Sequence, residues 1–199
     1  MSAALQLDTL TPLAWSILGM INSSRCPRDA ASMYARLGLH PIRLHGVIAG
    51  KCTCDREECT TRAGKHPTHA SWQRRMLVRE QLDRALTQHW RSNLGLRMGH
   101  QPDGSRLICI DVDGPLTLLD PFIERAGKLP PTLTASSGRG YHLYFRLPEG
   151  VPMPRNRTAL APGLDIRSEG GQVVAPPSAH YLPGRRYDWL MAMEPAVLP

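Results

Sequence analysis

Lysine is almost missing from this chain. Only Lys51, Lys65 and Lys128 are lysine, so all but three of the 24 basic residues are arginine. Long apolar runs are missing too. No stretch approaches the ~20 residues that cross a bilayer, which excludes a membrane-spanning helix. No basic residue precedes the apolar part of Met1 to Leu13. A secretory signal is therefore not expected, and a cytoplasmic protein is. The pattern GxxxxGK followed by Ser or Thr does not occur, which excludes a P-loop helicase within these residues. Neither an internal repeat nor a low-complexity segment is visible. The cysteine count is five, an odd number, which argues against a disulfide framework.

What is present describes one folded domain. The 199 residues are 42% hydrophobic and 21% charged, enough to bury a core and unlike a disordered chain. The formal net charge is +7. Arginine's planar fork suits phosphate, and a basic excess suits a polyanion. GC-rich coding also favours arginine over lysine, so composition leaves both explanations open.

Periodicity predicts helices over residues 10–22, around Leu13, Trp15, Ile17 and Leu18, and over Arg28 to Leu37. A short strand is expected at Ile42 to Leu44. Residues 49–70 are polar and aperiodic. From Leu77 to Trp90, a stripe of Leu82, Ala85, Leu86, His89 and Trp90 predicts a helix. Strand signals follow at Leu94 to Met98 and Arg106 to Val112. Asp120-Pro121 reads as an N-cap and first-turn proline, and Gly127 as the stop. Thr132 to Ala135 and Tyr141 to Leu147 predict a hairpin around SSGRG. The prolines at 148, 152, 154 and 162 predict a loop over residues 148–164. Leu164 to Ser168 and Gln172 to Ala175 read as strands, and a Pro-rich tail follows near Trp189. Helices first and strands later suggest α+β with a mixed or antiparallel sheet.

Asp111 and Asp113 close the strongest strand. Residues i and i+2 of a strand share a face, so the two carboxylates converge and repel unless a cation separates them. Hard oxygen ligands suit Mg²⁺ or Mn²⁺. Asp-Gly is also a common turn, so a solvated strand end is the alternative. Asp165, between Leu164 and Ile166, adds a third acid on a strand. In YHLYFRL, Tyr141, Leu143, Phe145 and Leu147 are expected to face the core. His142, Tyr144 and Arg146 take the opposite face. Ser137, Gly138, Arg139 and Gly140 make a small, flexible loop that suits phosphate. A plain hairpin turn with a surface histidine fits the same residues.

Three of the five cysteines crowd together. Cys52, Cys54 and Cys59, with His66, can close a tetrahedral zinc site within fifteen residues. His69 competes as the fourth ligand. The segment lacks the apolar residues to fold itself, the usual situation of a metal-stapled loop. Cys26 and Cys109 are expected to be buried.

ICIDVDGP, SSGRGYHLYFRLP and GLDIRSEGGQVVAPPSAH, in that order, resemble the three motifs of the archaeo-eukaryotic primase superfamily. The bifunctional primase–polymerase (Prim-Pol) branch is the nearest match, and NLGLRMG and KCTCDREECTTRAGKHP resemble it as well. The resemblance spans roughly residues 28–189. It implies one catalytic domain over 1–199: an N-terminal helical part (1–92) with a zinc loop (50–69), an RRM-like catalytic sheet (93–189) and a tail (190–199). It implies that Asp111, Asp113 and Asp165 hold two catalytic Mg²⁺ or Mn²⁺ ions. His142 would contact the phosphates of the incoming nucleotide, helped by Ser137 and Arg139. Asn93 and Arg97 would line the same pocket. Many relatives carry Ser-x-His in the second motif, whereas Gly140 stands two residues before His142 here. That role falls to Ser137 or to the Gly140 backbone N–H.

The activity implied is template-dependent nucleotidyl transfer, as DNA polymerase, primase or both, using DNA template, primer and dNTP or NTP. The setting is replication of a plasmid, phage or other mobile element. A helicase or helical primase domain would act with it, in the same protein or in trans. Arg74, Arg75, Arg155 and Arg157 would grip the template. Two other classes compete. A metal-dependent nuclease also uses clustered carboxylates but needs no triphosphate pocket. A non-catalytic zinc module that holds nucleic acid would not need Asp111.

Overall fold

The computed structural model describes residues 12–74 and 77–199; of residues 12–15 it describes the backbone alone. In chain order the helices and strands are α1 (Pro12–Ser24), α2 (Pro27–Arg36), β1 (Pro41–Leu44), β2 (Val47–Ile48), β3 (Lys51–Cys52) and α3 (Arg79–Gln88). Then come β4 (Asn93–Arg97), β5 (Gly99–His100), β6 (Arg106–Val112), α4 (Asp120–Ala126), β7 (Thr134–Ser136) and β8 (Tyr141–Arg146). The chain closes with β9 (Arg157–Ala161), β10 (Leu164–Arg167), β11 (Gln172–Ala175), β12 (Asp188–Met191) and β13 (Ala196–Val197). This is an α+β protein with antiparallel sheets, as expected, and β13 adds one parallel pairing, to β8.

The strands divide between two main sheets. The larger runs β12-β7-β8-β6-β10-β9, with β5 and β13 attached to β6 and β8. The smaller is β1-β4-β11. Strand β1 thus ties the N-terminal part to the NLGLRMG strand, and through it to a strand of the third motif, with Ile42 opposite Gly95 and Val174 opposite the same glycine. A side chain at Gly95 would meet the Gln172 Oε1 atom at 2.5 Å, so glycine permits this close three-strand packing.

The large sheet is covered on both faces. Ile108, Val112, Leu143 and Phe145 pack with Leu119 of a one-turn 3₁₀ helix (Leu116–Leu119) ahead of α4. Leu107, Cys109, Ala135, Tyr144 and Trp189, on the other face, pack against Ile17 and Leu18 of α1, Tyr34 of α2 and Leu86 of α3. The expectation of a single core face on β8 is therefore half right. Tyr144 is fully buried opposite Phe145 because helices cover that side as well.

Other expectations need correction. The loop predicted over 148–164 contains β9, whose pairing with β10 lies beyond the last proline-rich turn. The expected tail carries β12 and β13, and Trp189 is buried against Tyr144. Asp120 is the first residue of α4 and not its cap, because the 3₁₀ turn runs straight into the helix. Cys109 is buried, but Cys26 is only half-buried at the start of α2. Helix α3 ends at Gln88, so His89 and Trp90 leave the buried stripe, and Trp90 is exposed. Residues 10 and 11 of the first predicted helix lie outside the described residues.

Candidate active site

Strand register brings the predicted residues together. Asp165 of β10 sits opposite Asp111 of β6, and Asp111 sits opposite His142 of β8. Directly opposed residues share a face, so Asp165, Asp111 and His142 form one row across three adjacent strands. Asp113, just past the end of β6, is fixed by its N–H, which donates to the Gly163 carbonyl at 2.8 Å. Asp111 and Asp113 both line a cavity of about 430 Å³.

His142 is no surface histidine. It is buried, its Nε2 lies 3.4 Å from Asp111 Oδ1, and its Nδ1 has no hydrogen-bond partner. Burial pushes the Asp111 carboxyl up. The charge and hydrogen bond of His142, then Arg167 and Lys65, outweigh burial and hold it below the usual carboxylate value.

The carboxylates are held by arginines. Arg139 Nη2 donates to Asp113 Oδ2 at 2.9 Å. Arg167 pairs with Asp165 and lies 3.6 Å from Asp111. Asp165 also accepts from the Ala159 N–H at 2.6 Å. Ala159 has a φ of 54° inside a register shift between β9 and β10, a strained position for a non-glycine residue. The bulge places Thr158 on the cavity wall.

The SSGRG loop is compact. Ser137 N–H donates to the Gly140 carbonyl at 2.8 Å, and Gly140 N–H donates to Ser137 Oγ at 3.0 Å. Gly140 presses against β6, where a side-chain carbon would fall 1.8 Å from the Val112 carbonyl oxygen. Ser137, Gly138 and Arg139 line the cavity.

Asn93 and Arg97 are placed elsewhere. Buried Asn93 donates to the carbonyls of Gly64 and Ala179 and accepts from the Ala179 N–H. It thereby fixes the residues before Lys65 and His180. Arg97 pairs with Glu169 at 2.8 Å. Neither lines the cavity. Arg74, Arg155 and Arg157 are exposed, and Arg75 lies outside the described residues.

The cavity wall includes residues the sequence did not single out: Arg62, Lys65, Arg167, His180 and Tyr187. Burial lowers the Lys65 pKa, against Asp113 and with Arg139. Burial, then Lys65 and Arg139, push His180 down to about 4. Lys65 sits in the GKHP stretch next to His66, which is the one signal that could have marked it.

The Cys52, Cys54, Cys59 and His66 ligand atoms lie within 4.8 Å of one another. His66 Nε2 is 3.2 Å from Cys52 Sγ and 3.4 Å from Cys59 Sγ, and the Gly64 N–H donates to Cys52 Sγ. The soft donors and their spacing fit a tetrahedral zinc ion. His69 accepts from the Ser71 N–H and stands outside the cluster. The three carboxylates form no such group among the described residues.

A cavity that sets paired-strand carboxylates among cations suits chemistry on phosphates. The family model for the bifunctional DNA primase/polymerase N-terminal domain, Prim-Pol, matches residues 30–199, and the chain belongs to this family of DNA primase/polymerases. A comparison with curated proteins finds no match. Among the described residues no helix is long and apolar enough to cross a membrane.

Proposed function

We propose that this chain catalyses template-dependent nucleotidyl transfer, joining a dNTP or NTP to a primer on a DNA template, as polymerase, primase or both. Asp111, Asp113 and His142 line one cation-rich cavity, with Asp165 opposite Asp111 on the adjacent strand, and this arrangement carries the reading. Family membership supports it. We read the large sheet as the RRM-like core, within a single domain over 1–199 whose zinc loop is 50–69. The protein acts in the cytoplasm, in replication of a plasmid, phage or other mobile element. A helicase or helical primase domain, in one chain with it or in trans, is the partner this reading assigns.

The carboxylates of Asp111, Asp113 and Asp165 are the hard donors that Mg²⁺ or Mn²⁺ prefers, and they fit such ions once Arg139 and Arg167 turn toward a negatively charged ligand. Bound there, two ions would activate the primer 3′-hydroxyl and neutralise charge on the departing pyrophosphate. The protein's own groups hold the triphosphate. Arg139, Arg167 and Lys65 pair with its oxygens, and charge-assisted bonds of this kind are the strong ones. His142 keeps Asp111 ionised and turned to the cavity. The Ser137–Gly140 turn gives the phosphates close access to backbone, and Asn93 holds Lys65 and His180 in place. The Cys52, Cys54, Cys59 and His66 cluster holds a structural Zn²⁺.

A labelled primer on a short template tests this against the nuclease alternative. With Mg²⁺ or Mn²⁺ and dNTPs or NTPs, the strand lengthens in a template-directed way. Shortening of the strand would replace this reading with a nuclease.

A further inference from the structure

Trp90 departs most sharply from what its sequence position predicts. It is 66% exposed, directly after α3, with the Arg91 guanidinium stacked 4.6 Å from its ring. It borders a second cavity, of about 300 Å³, shared with Arg43, His45, Ile48, His89 and Arg91. No carboxylate lines this cavity. Ile48 is itself exposed. An exposed aromatic flanked by Arg43 and Arg91, with uncharged polar residues such as Thr53 and Ser92 completing the wall, marks a binding site.

The platform is rigid. Gly46 lies so close to Arg91 that a side-chain carbon there would fall 1.8 Å from the Arg91 carbonyl oxygen. This contact locks the 90–92 turn against the end of β1. Arg43 Nε donates to Thr68 Oγ1 at 3.0 Å. Thr68 lines this cavity, while His66 and Pro67 line the catalytic one. The short segment 66–68 is thus a wall common to both.

We infer that Trp90 and its basic rim form a stacking platform for single-stranded nucleic acid, leading over the zinc loop to the catalytic cavity. An aromatic face accepts any base, and the surrounding cations take the phosphates. Charge complementarity selects this occupant over an acid-poor apolar partner. The inference rests on the reading of the chain as a nucleic-acid enzyme and assigns it a place to hold the unpaired strand.

The test is equilibrium binding of a fluorescent dT₂₀ strand to the whole chain, without metal-dependent turnover. Trp90→Ala, at an exposed position, is expected to weaken binding roughly tenfold, and Trp90→Phe to restore most of it. Trp90→Ala leaves the slope of affinity against salt unchanged, whereas Arg91→Ala lowers it by about one. Unchanged dT₂₀ affinity in Trp90→Ala overturns the platform, as does an equal loss in Trp90→Phe. Absence of primer extension by the wild type would count against the polymerase reading alone, since strand binding is measured without it.

Discussion

Removing the proposed zinc should disable the candidate active-site cavity as well as the cysteine loop. From Cys52 to His66 the chain buries few side chains besides Cys52 and Ala63, so packing cannot order it. Ordering these fifteen residues costs on the order of 15 kcal/mol at about 1 kcal/mol of backbone entropy each. A structural Zn²⁺ site returns about 10–16 kcal/mol, so the two nearly balance and neither holds without the other. The loop carries Arg62, Lys65 and His66 into the cavity wall. In the proposed complex, loss of Lys65 alone removes one charge-assisted contact, about 1.5–3 kcal/mol, or ten- to a hundredfold in triphosphate affinity. Cys59→Ser with a chelator should therefore weaken binding of a fluorescent nucleoside triphosphate at least as much as Lys65→Ala does. Amide exchange should rise over residues 50–69 while far-UV circular dichroism stays nearly unchanged. A zinc-free protein that keeps both loop protection and triphosphate affinity would refute the coupling.

Three further outcomes follow from particular contacts. Gly140→Ala drives a carbon into the Val112 carbonyl, and overpacking of this kind costs about 1–3 kcal/mol. Thermal denaturation should show the loss, and triphosphate affinity should fall with it. Arg167→Met frees Asp165 and Asp111 of their cation. Mn²⁺ binding followed by electron paramagnetic resonance should tighten, while triphosphate binding weakens. Burial, then Arg97, push His40 down to about 4, below its ordinary 6.5. As pH falls the unfolded chain takes up this proton first, so the stability is full above about 6.5 and is lost as pH drops through about 4, up to about 3 kcal/mol in all. His40→Gln should flatten denaturant-measured stability across that window.

The site's chemistry was more legible than its surroundings. Asp111 and Asp113 could be paired because alternation along a strand is fixed by geometry. Asp165 and His142 could be placed on strands, but only register sets them on either side of Asp111. Register comes from long-range pairing, which local pattern does not contain. The same limit hid the burial of Tyr144: alternation shows two faces but not that helices cover both. Lys65, Arg167 and His180 come from a metal loop, a strand end and a turn, so no periodicity groups them. The cysteine cluster was legible because its ligands are close in sequence. Trp90 was misread because its spacing extends the stripe of α3 while the helix stops two residues earlier.

The central claim is that Asp111 and Asp113 serve nucleotidyl transfer. Its most direct test is extension of a labelled primer on a short DNA template, with Mn²⁺ or Mg²⁺ and nucleoside triphosphates, comparing wild type with Asp111→Ala plus Asp113→Ala. The account predicts template-directed extension by the wild type and none by the double variant, with zinc content and circular dichroism equal in the two proteins. Equal extension by both would contradict it.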